Sequence, residues 1–216
     1  MASLSAKLPL TLGGLLLLCV VGLGARHVWD GDGPELAVAL AALAMYVAWI
    51  VAETKLVSMR ETKLSHAPRD AGSCELYALA QGATVLSALI MPTLRPLGGA
   101  ASVIGLALLV GFASLRLRAI VVLGRHYSRR VRLLPDHRAI VSGPYRLVRH
   151  PAYLGTLVAH LGFVLVFFNW VSLAVWAALF VPMVIRRILV EEAVLLELEG
   201  YADYARRTKR LVPWVW

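Results

Sequence analysis

Six apolar blocks, Leu8–Ala25, Leu36–Ala52, Leu76–Met91, Leu97–Leu115, Ala152–Phe168 and Val171–Ile185, dominate a chain of 216 residues. Each approaches the ~20 residues that a helix needs to cross a bilayer. In hydrocarbon only helices and closed barrels satisfy all of their own backbone groups. The pattern therefore predicts an all-α fold, a polytopic helical membrane protein with about six hydrophobic spans. Composition agrees: 59% of residues are hydrophobic and mean hydropathy is +0.72, too apolar for a soluble domain of this size. Lys7 precedes the first block as in a signal peptide, but the block exceeds the usual h-region of about 7–15 residues and further spans follow. It is expected to be a retained span. No repeat, low-complexity tract or linker interrupts the chain, so residues 1–216 are expected to form one domain, with spans in 1–115 and most of the polar sequence in 116–216.

The net charge of +9 invites a nucleic-acid reading, which the placement of the charges opposes. Lys7, the group Lys55 to Arg69, the group Arg116 to Arg149 and the group Arg186 to Arg210 occupy alternate loops. Only Arg26 and Arg95 occupy the others, a distribution of twenty against two. This is the positive-inside pattern. It predicts both termini and the long fourth connection on the cytoplasmic side, with tight turns at Pro92–Pro96 and Asn169–Trp170 on the other. No basic face interleaves with stacking aromatics, so no nucleic-acid partner is expected. The partners to expect from this pattern are membrane lipids. Cys19 and Cys74 form no CxxC pair and read as small buried apolar residues. No metal-ligand spacing occurs.

Blocks five and six form a hairpin that brings the polar segment Arg116–Pro151 beside the tail Arg186–Trp216. Within the first, Ser142-Gly143-Pro144 signals a turn. Pro151 suits a first helical position, and His150 before it is biased out of the helical region. Block five should thus start at Pro151, with its free N–H groups and Arg149 making a trap for a carboxylate. Arg187 and Glu191, four apart, share a helix face. Small residues at helical spacing, Ala101 with Gly105 and Gly155 with Ala159, would let helices approach closely.

The run G-x-Y-x-x-x-R-H-P-x-Y-x-G from Gly143 to Gly155, followed by a hairpin, R-x-x-x-E-E from Arg187 to Glu192, G-Y-x-x-Y from Gly200 to Tyr204 and Pro213, resembles the isoprenylcysteine carboxyl methyltransferase family. The resemblance covers Leu123 to Pro213. It implies an integral membrane enzyme that binds S-adenosyl-L-methionine without a Rossmann domain, in a cytoplasmic site formed by the C-terminal third, and methylates a lipophilic substrate. Such a substrate would be a carboxylate like that of a prenylated cysteine or a related lipid. Carried over residue by residue, the family's cofactor contacts fall on His137, Arg138, Ala139, Ile140, Tyr145, His150, Pro151, Tyr153 and Glu191. Arg187 would face the substrate carboxylate, and Arg149 would support the cofactor end of the reacting pair. The chain departs from the family where Ala139-Ile140-Val141 replaces Leu-Val-Thr and Glu199 replaces Phe.

The carboxylate at Glu191 suits a ligand bearing an ammonium and a sulfonium, while helix N–H groups and aromatic faces suit its carboxylate and its adenine. A carboxylate nucleophile is ionised at pH 7 and needs no strong base; an amine or a thiol on a lipid would also fit. Two other readings compete. Membrane sterol and steroid reductases, which use NADPH, carry a related R-H-P-N-Y stretch, but Ala152 stands here for Asn and Val148 for Ser. A non-catalytic membrane protein is the other.

Overall fold

The computed structural model describes residues 18–24, 33–61, 72–94, 98–131, 139–213 and 216. A helical stretch over 18–24 (α1) is followed by α2 (Gly33–Glu61), α3 (Ser73–Ile90), α4 (Gly98–Leu123), α5 (Pro151–Val166), α6 (Trp170–Leu195) and α7 (Tyr201–Arg207). Among the described residues the β-pairing is a single isolated bridge, Val148 with Lys209.

Among the described residues four stretches are long and apolar enough to cross a membrane: Glu35–Ser58, Ser73–Ile90, Gly99–His126 and Trp170–Leu195. Helix α5 is apolar but has 16 residues, about 24 Å at 1.5 Å per residue. Most of the first block lies outside the described residues. The described residues thus form an all-helical bundle with four candidate spans; the hydropathy pattern anticipated six over the whole chain, one of them in the first block. Helices α2, α4 and α6 outrun their apolar blocks, because charged and polar residues with good helix propensity continue them. As a result Arg116 and Arg118, expected in a loop, lie on α4.

Helices α4 and α5 meet almost backbone to backbone. A Cβ added at Gly105 would lie 2.6 Å from the Gly162 carbonyl oxygen, and one at Gly155 would lie 2.7 Å from that of Phe112. The seam therefore runs through Gly105, Gly155 and Gly162, while Ala159 joins the core with Phe163 and Leu109. In that core the Tyr46 hydroxyl donates to His160 Nε2 at 3.1 Å, and His160 Nδ1–H donates to the Thr156 carbonyl at 2.7 Å. One ring nitrogen gives a proton and the other takes one, which fits a neutral imidazole.

The described flanks of the two short connections meet at one end of the bundle. Leu94 N–H donates to the Phe168 carbonyl at 2.6 Å. Asn169 caps α6 by accepting from Ser172 N–H at 2.7 Å, and its amide reaches back to Ser87 at 3.4 Å. Inside α6, residues Trp176–Phe180 make a π turn, in which Val181 N–H bonds to the Trp176 carbonyl five residues back. Its indole N–H donates to the Leu157 carbonyl at 3.1 Å.

Candidate active site

At the other end of the bundle, α5 starts at Pro151, and His150 before it sits outside the helical region at φ −124°, ψ 57°. The C-terminal segment holds this start in place: Arg149 and His150 N–H groups donate to the Lys209 and Arg210 carbonyls at 2.8 and 3.0 Å. Tyr145 stands on a 3₁₀ turn, Gly143–Arg146, entered through Gly143 at φ +59°, a conformation suited to glycine. Its carbonyl accepts from the Tyr204 hydroxyl at 2.6 Å, which docks α7.

Two adjacent glutamates at the end of α6 have different duties. Glu191 accepts from the Tyr153 hydroxyl at 2.6 Å. The same hydroxyl accepts from Arg187 Nε–H at 3.2 Å, so Tyr153 bridges the two residues that share a face of α6. Arg187 is 3% exposed and also donates to Ser73 Oγ at 2.7 Å and to the Arg129 carbonyl. Glu192, 5% exposed, contacts Arg149 at 2.9 Å, His150 Nε2 at 3.0 Å and Arg210 at 2.7 Å. It ties together the start of α5, the end of α6 and the C-terminal tail.

A cavity of about 860 Å³ opens between these groups and helices α2 and α3. Of the residues expected at the site, Ala139, Ile140, Tyr145, Arg149, His150, Tyr153, Arg187 and Glu191 line it. Pro151 is buried at the first position of α5, behind the lining. His137 and Arg138 fall outside the described residues. The opposite wall is largely apolar, with Trp49, Ile50, Leu79 and Leu86. On α3 the lining runs from Cys74 to Leu86, about 18 Å along the helix axis. Cys74 is buried as anticipated, whereas Cys19 is exposed.

Burial sets the electrostatics outside the spans. It pushes the phenols of Tyr145 and Tyr201 well up, helped by nearby Glu191 and Glu192 respectively, and that of Tyr204 up to about 12. All three remain neutral donors at physiological pH. The Tyr201 hydroxyl and Arg149 Nε are buried without a hydrogen-bond partner among the described residues. A cavity with a carboxylate at Glu191, aromatic faces at Tyr145 and Tyr153, and these two orphaned groups fits a small zwitterionic nucleoside such as S-adenosylmethionine. Among the described residues no cluster of three His, Cys, Asp or Glu side chains could hold a metal ion.

Some features escaped the sequence. Arg116 lies inside the bundle, where it meets Glu53 of α2 at 2.5 and 2.7 Å and donates to the Ala152 carbonyl at 3.2 Å. Trp49 Nε1–H donates to the same glutamate at 3.0 Å. The role of Glu192 was likewise hidden, although the paired acids of R-x-x-x-E-E marked its position.

Residues 103–197 match the sequence model of the isoprenylcysteine carboxyl methyltransferase family. Protein-S-isoprenylcysteine O-methyltransferase B of Arabidopsis thaliana is 30% identical over 115 residues, which are 51% of this chain and 58% of that protein. A probable protein-S-isoprenylcysteine O-methyltransferase of Oryza sativa subsp. indica is 29% identical over 147 residues, 64% of this chain and 76% of the rice protein. The matched stretch thus spans less than two thirds of the Arabidopsis relative. In fold, the chain is similar to the solved structure of a eukaryotic intramembrane Ras methyltransferase, an isoprenylcysteine carboxyl methyltransferase, with a TM-score of 0.52 and 21% identity over 94% of this chain and 74% of that one.

Proposed function

We propose, from the premise that this chain belongs to the isoprenylcysteine carboxyl methyltransferase family, that it methylates the carboxylate of a prenylated cysteine or a similar lipid acid with S-adenosylmethionine. The observation that carries this reading is the join of two unlike surfaces in one cavity. The polar Tyr153–Arg187–Glu191 cluster meets an apolar wall drawn from α2 and α3. A polar head and a lipid tail can be held there at once.

The cofactor supplies an electrophilic methyl on a sulfonium. Glu191 places a negative charge beside the cationic donor, and Tyr153 fixes the orientation of that carboxylate. Arg187 is held by Tyr153, Ser73 and the Arg129 carbonyl. These contacts hold its guanidinium in the cavity wall, which supports a role in orienting the substrate carboxylate. A carboxylate nucleophile is already ionised at physiological pH and needs no base, and positioning the two reactants can lower the barrier by up to ~7–11 kcal/mol. The apolar wall excludes water from the reacting oxygen. Ala139, Ile140, Tyr145 and His150, which line the cavity, serve the cofactor; His137, Arg138 and Pro151 are assigned to it on the resemblance alone.

The same reading places six spans in the membrane, residues 1–115 as lipid-side scaffold and 116–216 as the catalytic region, with both termini and the site cytoplasmic. The twenty-to-two distribution of basic residues supports this orientation. Labelling of cysteines placed at Ser65 and Thr208 should report the same side; labelling from opposite sides refutes it.

The decisive experiment gives purified protein labelled S-adenosylmethionine with carboxylate, amine and thiol forms of one prenyl lipid. Base-labile methyl ester on the carboxylate form is expected. Methylation confined to the amine or thiol, or binding of NADPH in place of S-adenosylmethionine, would overturn the reading.

A further inference from the structure

Tyr201 lines the cavity, is 4% exposed, and its hydroxyl is buried with no hydrogen-bond partner among the described residues. Buried hydroxyls are nearly always satisfied, so one left open in a cavity wall points to a ligand atom. The ring is also firmly placed. Gly200 turns the chain at φ +77°, Tyr201 begins α7, and its ring stands edge-on to Tyr204 at 5.7 Å. Tyr204 in turn is anchored to the Tyr145 carbonyl.

The neighbouring orphan is Arg149 Nε–H, also in the cavity wall. Arg149 uses NH1 on Glu192 at 2.9 Å, and Arg210 uses Nε on the same carboxylate at 2.7 Å. Glu192 thus answers both guanidinium groups and leaves Arg149 Nε–H open. Two open donors, one of them on a guanidinium, select an acceptor and favour an anionic one. Glu191, the residue before Glu192, carries a negative charge in the same cavity. An amino-acid end has its ammonium and carboxylate on one carbon, so adjoining receptors of opposite sign match it.

We propose that Tyr201 is a cofactor-binding residue, whose hydroxyl, together with Arg149 Nε–H, seats the α-carboxylate of S-adenosylmethionine. This rests on the methyltransferase reading and adds a residue and a ligand atom to it. The phenol keeps its proton in this buried setting, so it donates as the seat demands.

The test compares S-adenosylmethionine with its decarboxylated form, which lacks only the carboxylate. Both are titrated calorimetrically into the detergent-solubilised full chain, wild type and Tyr201→Phe, with no lipid substrate. Tyr201→Phe should weaken S-adenosylmethionine binding by about tenfold, the scale of one hydrogen bond to a charged group, and leave the decarboxylated form within twofold. Thermal unfolding without ligand gives a second reading. Removing an unpartnered hydroxyl should hold or raise the midpoint, whereas a lowered midpoint would mean that the hydroxyl is bonded within the protein and would overturn the proposal. Equal weakening of both ligands would move Tyr201 to the nucleoside, and no change in either would remove it from the site; each result overturns the assignment. Wild-type protein that binds neither ligand would instead sink the methyltransferase reading itself.

Discussion

The Glu53 carboxylate grips the Arg116 guanidinium at two points, 2.7 Å from Nε and 2.5 Å from NH2, across the interface of α2 and α4. Both residues lie in segments apolar enough to cross a membrane, where a lone charge is expensive and is retained for a purpose. The third arm of Arg116 reaches the Ala152 carbonyl in the first turn of α5. The pair thereby connects the N-terminal helices to the element that presents His150 and Tyr153.

Breaking that pair from one side should be worse than removing it. Arg116→Met leaves Glu53 without its partner and should destabilise by about 3–5 kcal/mol. Glu53→Gln combined with Arg116→Met should recover most of this loss. Thermal unfolding of the wild type, the Arg116→Met and Glu53→Gln single variants and the double variant in detergent measures it; additive losses in the double variant would show that the two residues are not coupled.

Glu192→Ala should release the C-terminal tail. The substitution leaves Arg149, His150 and Arg210 facing one another without the carboxylate they share. A loss of about 3–5 kcal/mol should accompany new trypsin cleavage at Lys209 and Arg210. Unchanged resistance to trypsin in a folded variant would mean that the backbone bonds to Lys209 and Arg210 hold the tail alone.

The two active-site charges should separate kinetically. Arg187→Ala should abolish turnover yet keep S-adenosylmethionine affinity within about 1 kcal/mol, as expected for a contact made in the transition state. Arg187→Lys should also be poor, since lysine lacks the planar fork. Glu191→Gln should instead weaken the cofactor by about 1.5–3 kcal/mol. Calorimetry with an inert cofactor analogue that keeps the positive charge at the donor position, and a methyl-release assay, distinguish them; full carboxylate methylation by Arg187→Ala would refute its role.

The glycine seam makes a steric prediction. Gly162→Ala would place a methyl 2.5 Å from the Gly105 carbonyl oxygen and 2.6 Å from Leu109 N. Helices α4 and α5 would have to part, at about 1–3 kcal/mol or more. Gly111→Ala, on the same α4 with nothing within 4 Å, should be neutral within about 1 kcal/mol. Equal unfolding midpoints for both variants would disprove the close seam.

Local chemistry was readable, and long-range pairing was not. The start of α5 at Pro151 follows from a proline and its effect on His150, two neighbours in sequence. That Tyr145, Tyr153, Arg187 and Glu191 share one cavity was legible only because a recurring order of motifs encodes it. Arg116 looked like a loop anchor, since an arginine just past an apolar block ordinarily is one. Its partner lies 63 residues away, and no periodicity announces such a pair. Glu191 and Glu192 were indistinguishable as letters, because which one faces the cavity depends on the rotation of α6. His137 and Arg138 lie outside the described residues, so their place at the site rests on the resemblance.

That rotation survives an interruption upstream. The π turn at Trp176–Phe180 amounts to one residue inserted into an α-helix, a device often found near functional sites. Each residue of an α-helix turns the chain by about 100°. The wide turn takes up the inserted residue, so the helix beyond it runs in the phase of an uninterrupted α-helix. A lineage that lost one residue here could close the turn to α and keep Arg187, Glu191 and Glu192 where they are. The same loss between Val181 and Arg187, where no wide turn takes up the difference, would bring Ile188 to the place of Arg187 and swing the arginine, the cavity-facing carboxylate and the tail anchor out of phase together.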